Sequence, residues 1–202
     1  RDELPLFSLL QTEPLRLQSS HLSFQEYFAA LALCEKGTRL SGPPPWQWSV
    51  WWMNAVRLGS EMGSGFDKGL LRAAGVQGDV LDLSGKVKGY QPTVAVVLAA
   101  IVRSDALMSL NVSNNKLSDE SGKLFAKALK LNTTLTQLDM GDNNLGDESI
   151  KLFAEALKSN MSLTQLDLRG NSLGDESGKL LAEALQSNTT LMQLSLRSNR
   201  LG

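Results

Sequence analysis

Leu107-Met108-Ser109-Leu110-Asn111-Val112-Ser113-Asn114-Asn115-Lys116-Leu117 decides the fold, because its frame returns three more times at a constant interval. Leu107, Leu110, Val112, Asn115 and Leu117 recur as Leu135, Leu138, Met140, Asn143 and Leu145. They recur again as Leu163, Leu166, Leu168, Asn171, Leu173 and finally as Leu191, Leu194, Leu196, Asn199, Leu201. The interval is 28 residues at each position. The second half of the unit repeats too, as Leu124-Phe125-x-x-Ala128-Leu129, Leu152-Phe153-x-x-Ala156-Leu157 and Leu180-Leu181-x-x-Ala184-Leu185. One interval earlier stand Val96, Val97, Ala100 and Ile101. That first unit's strand, Leu81-Asp82-Leu83, lies 29 residues before Leu110-Asn111-Val112, so one loop residue is gained and Lys86 replaces the asparagine. Repetition at this period marks an array of stacked units.

Each half-unit has a physical reading. Leu-x-Leu alternation over a short run predicts a strand with one buried face. The i, i+1, i+4, i+5 apolar set predicts one face of a helix. The helices open at Ser118-Asp119-Glu120, Gly146-Asp147-Glu148 and Gly174-Asp175-Glu176, where caps and acids suit the positive end of the helix dipole. They close near Asn132, Asn160 and Asn188, which are expected to take the left-handed conformation of a helix end and to matter less than the asparagines of the first frame. Strands stack at about 4.8 Å and helices at about 10 Å. The array must therefore bend, with strands inside and helices outside.

Composition narrows the function. Among 202 residues, Lys plus Arg number 20 and Asp plus Glu 21, giving a net charge of -1 and no whole-chain field to draw in nucleic acid or anionic lipid. The longest uninterrupted apolar stretch, Val94 to Val102, is short of the roughly 20 residues of a membrane span. A single cysteine, Cys34, and a single histidine, His21, rule out an internal disulfide, a cysteine-built zinc site and a two-histidine metal site. Most metalloenzymes are excluded. The start, Arg-Asp-Glu-Leu-Pro, has no secretory character, and a cytoplasmic, reducing location is expected. The last unit stops at Leu201-Gly202, after its strand and before its helix, so both ends are read as cuts within a longer protein.

From about residue 78 to 202 the sequence resembles the leucine-rich repeat family, in the 28-residue form typical of ribonuclease inhibitor and of cytosolic innate sensors. The LxxLxLxxNxL signature stands intact in four units and is degenerate in the first. The resemblance implies an α/β solenoid, and it implies that Asn115, Asn143, Asn171 and Asn199 form a ladder bonding backbone groups of neighbouring turns. Four tripeptides, at Asn111, Asn132, Asn160 and Asn188, match the N-glycosylation pattern. The last three recur because the helix-to-strand turn recurs, and they are read as turns.

The N-terminal part is different. Phe24, Phe28 and Leu31 fall on one helical face, after a strand-like Leu15-Arg16-Leu17-Gln18. The string Ser20-His21-Leu22-Ser23-Phe24-Gln25-Glu26-Tyr27-Phe28-Ala29-Ala30 resembles the end of the winged-helix part of NACHT-type NTPases, with Ser19 where that family carries an aromatic. The resemblance implies that His21 senses the β-phosphate of ADP in a full-length parent, where ADP or ATP would be the cofactor. The chain itself has no phosphate-binding G-x-x-x-x-G-K-[ST] string, so no cofactor is expected in it. Residues 1–36 are thus read as the end of a winged-helix-like module with its following helix, 37–77 as a helical connector or cap, and 78–202 as repeats. In the connector, Gly37 to Pro45 reads as a loop. Trp48, Trp51, Trp52, Ala55 and Val56 follow helical spacing there, and Phe66, Leu70, Leu71 and Ala74 continue it after Gly63 and Gly65. A solenoid's first turn has an open apolar end, and this aromatic segment sits where its cap must be.

Residues between the strand leucines point to the concave side and form columns. The columns contain Ser109, Gln137, Gln165 and Gln193, then Asn111, Asp139, Asp167 and Ser195, then Ser113, Gly141, Arg169 and Arg197. Gln137, Asp139, Gln165, Asp167, Arg169, Gln193 and Arg197 are the candidate partner-binding residues, and no catalytic or metal residue is assigned. As exposed strand positions they are expected to carry little packing. The whole reads as a non-enzymatic sensor or autoinhibitory region of a NACHT-LRR switch, contacting a protein partner or its own NTPase module and neither nucleic acid nor membrane. The alternative is a stand-alone leucine-rich repeat scaffold or inhibitor.

Overall fold

The computed structural model describes residues 19–35, 40, 42–87 and 91–201, with only the backbone for 19–25 and for Ser64. Helix α1 is Ser19–Cys34, and two 3-10 turns, Pro45–Gln47 and Val50–Trp52, lead into α2 (Met53–Glu61) and α3 (Ser64–Ala73). Strand and helix then alternate as β1 (Val80–Asp82), α4 (Gln91–Arg103), β2 (Ser109–Asn111), α5 (Asp119–Leu129), β3 (Gln137–Asp139), α6 (Asp147–Ser159), β4 (Gln165–Asp167), α7 (Asp175–Ser187) and β5 (Gln193–Ser195). The strands form one parallel sheet in chain order, with Leu110, Leu138, Leu166 and Leu194 in register. Three-residue strands on one side and helices of 11 to 13 residues on the other give the curved α/β solenoid. Between the layers Leu110, Val112, Leu117, Phe125 and Leu129 are buried, as are Leu138, Met140, Leu145, Phe153 and Leu157 of the next unit. At the last turn Leu191, Leu194, Leu196 and Leu201 are only partly covered, whereas Leu163, Leu166, Leu168 and Leu173 one unit earlier are buried.

Such short strands leave much backbone without a ladder partner, and buried N–H and C=O groups must still be satisfied. Asparagine does this. Asn143 Oδ1 accepts from the N–H groups of Asn115 (3.1 Å) and Leu117 (2.9 Å), and its Nδ2 donates to the carbonyls of Val112 (3.1 Å) and Met140 (3.0 Å). Asn115, Asn171 and Asn199 repeat the pattern one turn apart. In the degenerate first unit Lys86 Nζ instead donates to the carbonyl of Asp82 (2.9 Å).

The turn asparagines differ from their sequence reading. Asn160 and Asn188 have φ of -77° and -81°, extended rather than left-handed. They build a second ladder. Asn160 is 2% exposed; its Nδ2 donates to the carbonyls of Leu129 (2.8 Å) and Asn132 (2.9 Å), and its Oδ1 accepts from the N–H groups of Ser162 (3.0 Å) and Leu163 (2.9 Å). Asn132 reaches back to the carbonyl of Val102 and Asn188 to that of Leu157. Left-handed backbone recurs just after each strand, at Gly85, Asn114, Asp142, Gly170 and Ser198, and occurs at helix ends only ahead of the regular units, as at Gly75 and Asp105.

Helix starts are coupled as well. Ser118 Oγ accepts from Ser121 N–H within its own helix, whereas Gly146 and Gly174 have no side chain to cap with. The preceding unit supplies the cap. Asp119 Oδ1 accepts from Gly146 N–H (2.8 Å) and Ser149 N–H (3.0 Å). Asp147 Oδ1 accepts from Gly174 N–H (2.8 Å) and from the Ser177 hydroxyl. Hydrogen bonds from Ser177 and then from Gly174 hold the Asp147 carboxyl below the usual carboxylate range. At Asp119 burial pushes the carboxyl up, but bonds from Ser149 and Gly146 outweigh it and the net shift is downward.

Ahead of the repeats, α2 and α3 pack on α4. Asp67, 1% exposed, is paired with Arg103 of α4 through Nη2–Oδ1 (3.1 Å) and Nε–Oδ2 (3.3 Å). Burial raises its carboxyl against the pull of that guanidinium. Arg72 Nη2 donates to the carbonyl of Glu35 (2.7 Å) just past the end of α1, a favourable place for a cation. A Cβ at Gly69 would lie 1.7 Å from the Leu33 carbonyl oxygen, so only glycine permits this approach of α3 to α1. The tryptophans are not on one helical face. Two 3-10 turns precede α2, so Trp46 and Trp48 turn inward, Trp48 stacks on Trp52 at 4.7 Å, and Trp51 is 83% exposed. On α1 the buried side chains are Ala30 and Leu33, while Phe28 is exposed, because the covered face is the one toward α2 and α3. His21 lies within α1, but its side chain and Phe24 fall outside the described side chains, and Leu15–Gln18 lies outside the described residues. Cys34 is half-buried, and that burial pushes its thiol up.

Two outcomes follow for stability. Asn160→Ala should cost about as much as Asn143→Ala, roughly 1–3 kcal/mol in urea unfolding, because each strands buried backbone groups. Asn144→Ala, at an exposed position, should cost under about 0.5 kcal/mol, and a cheap Asn160→Ala would refute the second ladder. A carboxylate whose folded-state pKa is depressed stabilises fully above its unfolded value, about 3.9, and loses this as pH falls through the folded value. Asp147→Asn should therefore lower the melting temperature at pH 7, and the gap to the parent should close at acid pH; a gap independent of pH would count against the charged cap.

Candidate functional site

Alternation in three-residue strands leaves two side chains per strand on the concave side. Leu138 and Leu166 point inward to the core, so Gln137, Asp139, Gln165 and Asp167 point out. The same holds across β2 to β5, whose outward residues line a groove of about 580 Å³. Gln137, Asp139, Gln165, Asp167 and Gln193 are among its walls, and Met192, 82% exposed, stands at its last strand. Arg169 and Arg197 lie just beyond the strand ends. Ser109 Oγ donates to Gln137 Oε1 (3.3 Å), continuing the column across units.

The centre of the charge pattern is Arg169. Its guanidinium contacts the Asp167 carboxylate, with Nη2 3.8 Å from Asp139 Oδ2 and Nε 3.6 Å from Asp142 Oδ2. These carboxylates, Asp167 foremost and then Asp139, raise its already high pKa. Gly141 makes the contact possible. A Cβ there would meet Arg169 Cγ at 3.0 Å, so the missing side chain is the space in which the arginine lies toward the neighbouring unit. Arg197, one unit on, is exposed and pairs with no carboxylate among the described residues. The local balance around Arg169 is therefore three carboxylates to one guanidinium.

Asp142 was not among the residues expected here. Its position after the strand is one of the left-handed loop sites, with φ of 52°, which turns its carboxylate toward the next unit's arginine. Its place in the column of Gly85, Asn114, Gly170 and Ser198 was visible in the repeat frame, but the contact depends on how adjacent turns stack.

The aspartates also have a task of their own. Asp82, Asn111, Asp139 and Asp167 each accept, through Oδ1, the N–H two residues on, at 2.9 Å. These side-chain turns start the loop after every one of these strands. Although these positions were expected to carry little packing, the aspartate side chains hold the turns through hydrogen bonds.

A family model described as Leucine Rich repeat matches residues 107–126, 131–154 and 159–182. These segments are thus leucine-rich repeats. Among solved structures it is similar to the actin-binding site 2 of leiomodin-1, with 22% identity over 58% of this chain and 69% of that one and a TM-score of 0.54. It is also similar to the C-terminal domain of tropomodulin from Caenorhabditis elegans, with 13% identity over 59% of this chain and 74% of that one and a TM-score of 0.55. At these identities the likeness is one of fold. No curated protein sequence gives a significant match.

Asp167→Ala should lower the melting temperature by about 2–4 °C per kcal/mol lost, because it removes the turn-starting acceptor. Arg197→Ala should leave it within about 1 °C, as a surface change with no partner. Equal, negligible shifts would return the aspartate column to a purely exposed role.

Proposed function

We propose that this chain is a non-catalytic protein-interaction region whose concave face reads a polar protein surface. The observation that carries the proposal is the groove itself, a continuous row of amide and carboxylate side chains held at strand spacing by two asparagine ladders. Three carboxylates around Arg169 repel phosphate, which disfavours nucleic acid and anionic lipid and favours a partner bringing basic groups. No described helix is long and apolar enough to cross a membrane. The leiomodin-1 structure, named for actin binding, is a case of this fold presenting a protein-binding surface.

Within that reading we place the chain in a cytoplasmic NACHT-LRR switch, where the repeats act as sensor or as the autoinhibitory partner of an upstream NTPase module. The motif from Ser20 to Ala30, followed by capping helices and then repeats, supports this order. His21 would then sense ADP in the full-length protein. The second reading, a stand-alone scaffold or inhibitor, is favoured by the cap alone, since the buried Asp67–Arg103 pair closes the first repeat.

Photo-crosslinking side chains placed at Gln137 or Gln165 should trap the partner in cells, while the same groups at Lys151 or Glu155 on the outer helix should not. Adducts from Lys151 and Glu155 alone would move the binding surface to the convex side.

A further inference from the structure

The three recurrent tripeptides Asn132-Thr133-Thr134, Asn160-Met161-Ser162 and Asn188-Thr189-Thr190 all satisfy the N-glycosylation acceptor pattern. Their asparagines are the second ladder, buried to 4%, 2% and 8% exposure. N-glycosylation uses the same atom that the ladder uses. Nδ2 attacks the anomeric carbon of a lipid-diphosphate-linked oligosaccharide; the carbon–oxygen bond to the diphosphate breaks, the lipid diphosphate leaves, and Nδ2 gives up one proton. One N–H remains, now carrying a bulky hydrated sugar.

The native positions cannot hold that product. Asn160 Nδ2 spends its hydrogens on the carbonyls of Leu129 and Asn132, at 2.8 and 2.9 Å. Asn188 Nδ2 donates to the carbonyls of Leu157 (2.6 Å) and Asn160 (3.2 Å), and Asn132 Nδ2 to that of Val102 (2.5 Å). A glycan at Asn160 or Asn188 removes a donor from a buried carbonyl, and at any of the three asparagines it drives a polar mass between two turns of the solenoid. The hydroxyl of the acceptor pattern is committed too, since Thr134 Oγ1 donates to the Leu107 carbonyl (3.1 Å).

We infer that this chain is matured only where N-linked oligosaccharide transfer does not occur, because its acceptor tripeptides coincide with the asparagines that hold neighbouring turns together. Transfer acts on the extended chain as it emerges, before the ladder can form, so folding offers no protection. The constraint is independent of the partner and of the NACHT-LRR reading, and it rests only on the geometry of Asn132, Asn160 and Asn188.

The test compares two full chains, both carrying Ser113→Ala to remove the tripeptide at Asn111, a change that gives up the Ser113–Ser84 hydroxyl contact in both chains alike. One is otherwise unaltered; the other adds Thr134→Val, Ser162→Ala and Thr190→Val, keeping all three asparagines. Made in bacteria, which lack the transfer, both should fold with cooperative melts a few degrees apart at most. Sent through the secretory route of a eukaryotic cell behind an added signal peptide, the first should gain glycans removable by endoglycosidase and be retained. The second should be secreted in at least tenfold higher yield and melt as the bacterial protein does. Secretion of the first chain in folded form, with or without glycan, overturns the inference. So does equal retention of the second, which would remove glycan attachment as the cause.

Discussion

The side-chain amide of asparagine is the constraint on which the rest of this molecule depends. A solenoid turn of 28 residues uses only three in a strand, so most of its backbone crosses the stack without a sheet partner. Buried N–H and C=O groups in that region need a donor and an acceptor on one short, uncharged side chain. Asparagine supplies two donors and one acceptor at a length that reaches the turn below. Asn143 and Asn171 do this on the strand-exit side, and Asn160 and Asn188 on the strand-entry side. Leucines fill the space between, but the amides fix the distance between turns.

Coupling between turns extends to the helices. Gly146 and Gly174 start helices whose first N–H groups are satisfied by Asp119 and Asp147 of the preceding unit. Each helix is therefore capped only when its neighbour is folded. Such nearest-neighbour terms make a repeat array cooperative along one dimension. The same logic applies at the first end, where a buried Asp67–Arg103 pair and the arginine reaching the end of α1 join α1 and α3 to the first repeat.

The concave face inherits its order from this scaffold. Side chains at matching positions of successive strands lie side by side because the register never slips, with Gln137 opposite Gln165 and Gln165 opposite Gln193. Its aspartates serve two ends at once: one oxygen starts the turn after the strand, and the other faces Arg169. The glutamines have no such backbone duty, and in the proposed reading they are the part of the surface left to a partner.

The sequence alone determined the solenoid, because a 28-residue period combined with Leu-x-Leu alternation and a helical apolar face has one way to bury its leucines. It also marked the concave columns, since alternation in a strand fixes which residues point outward. It could not show that Asn132, Asn160 and Asn188 build a second ladder and are not left-handed turn residues, because Asn suits both by type; only the extended φ of Asn160 and its four backbone partners decide. Nor could spacing show that Trp48 and Trp51 part company, since Trp48 and Ser49 are extended backbone that separates two 3-10 turns. The reach of Arg169 across Gly141 to Asp139 and Asp142 was likewise beyond the sequence. It depends on the stacking distance between turns, and that distance is set by the ladders, which exist only once the turns have folded against one another.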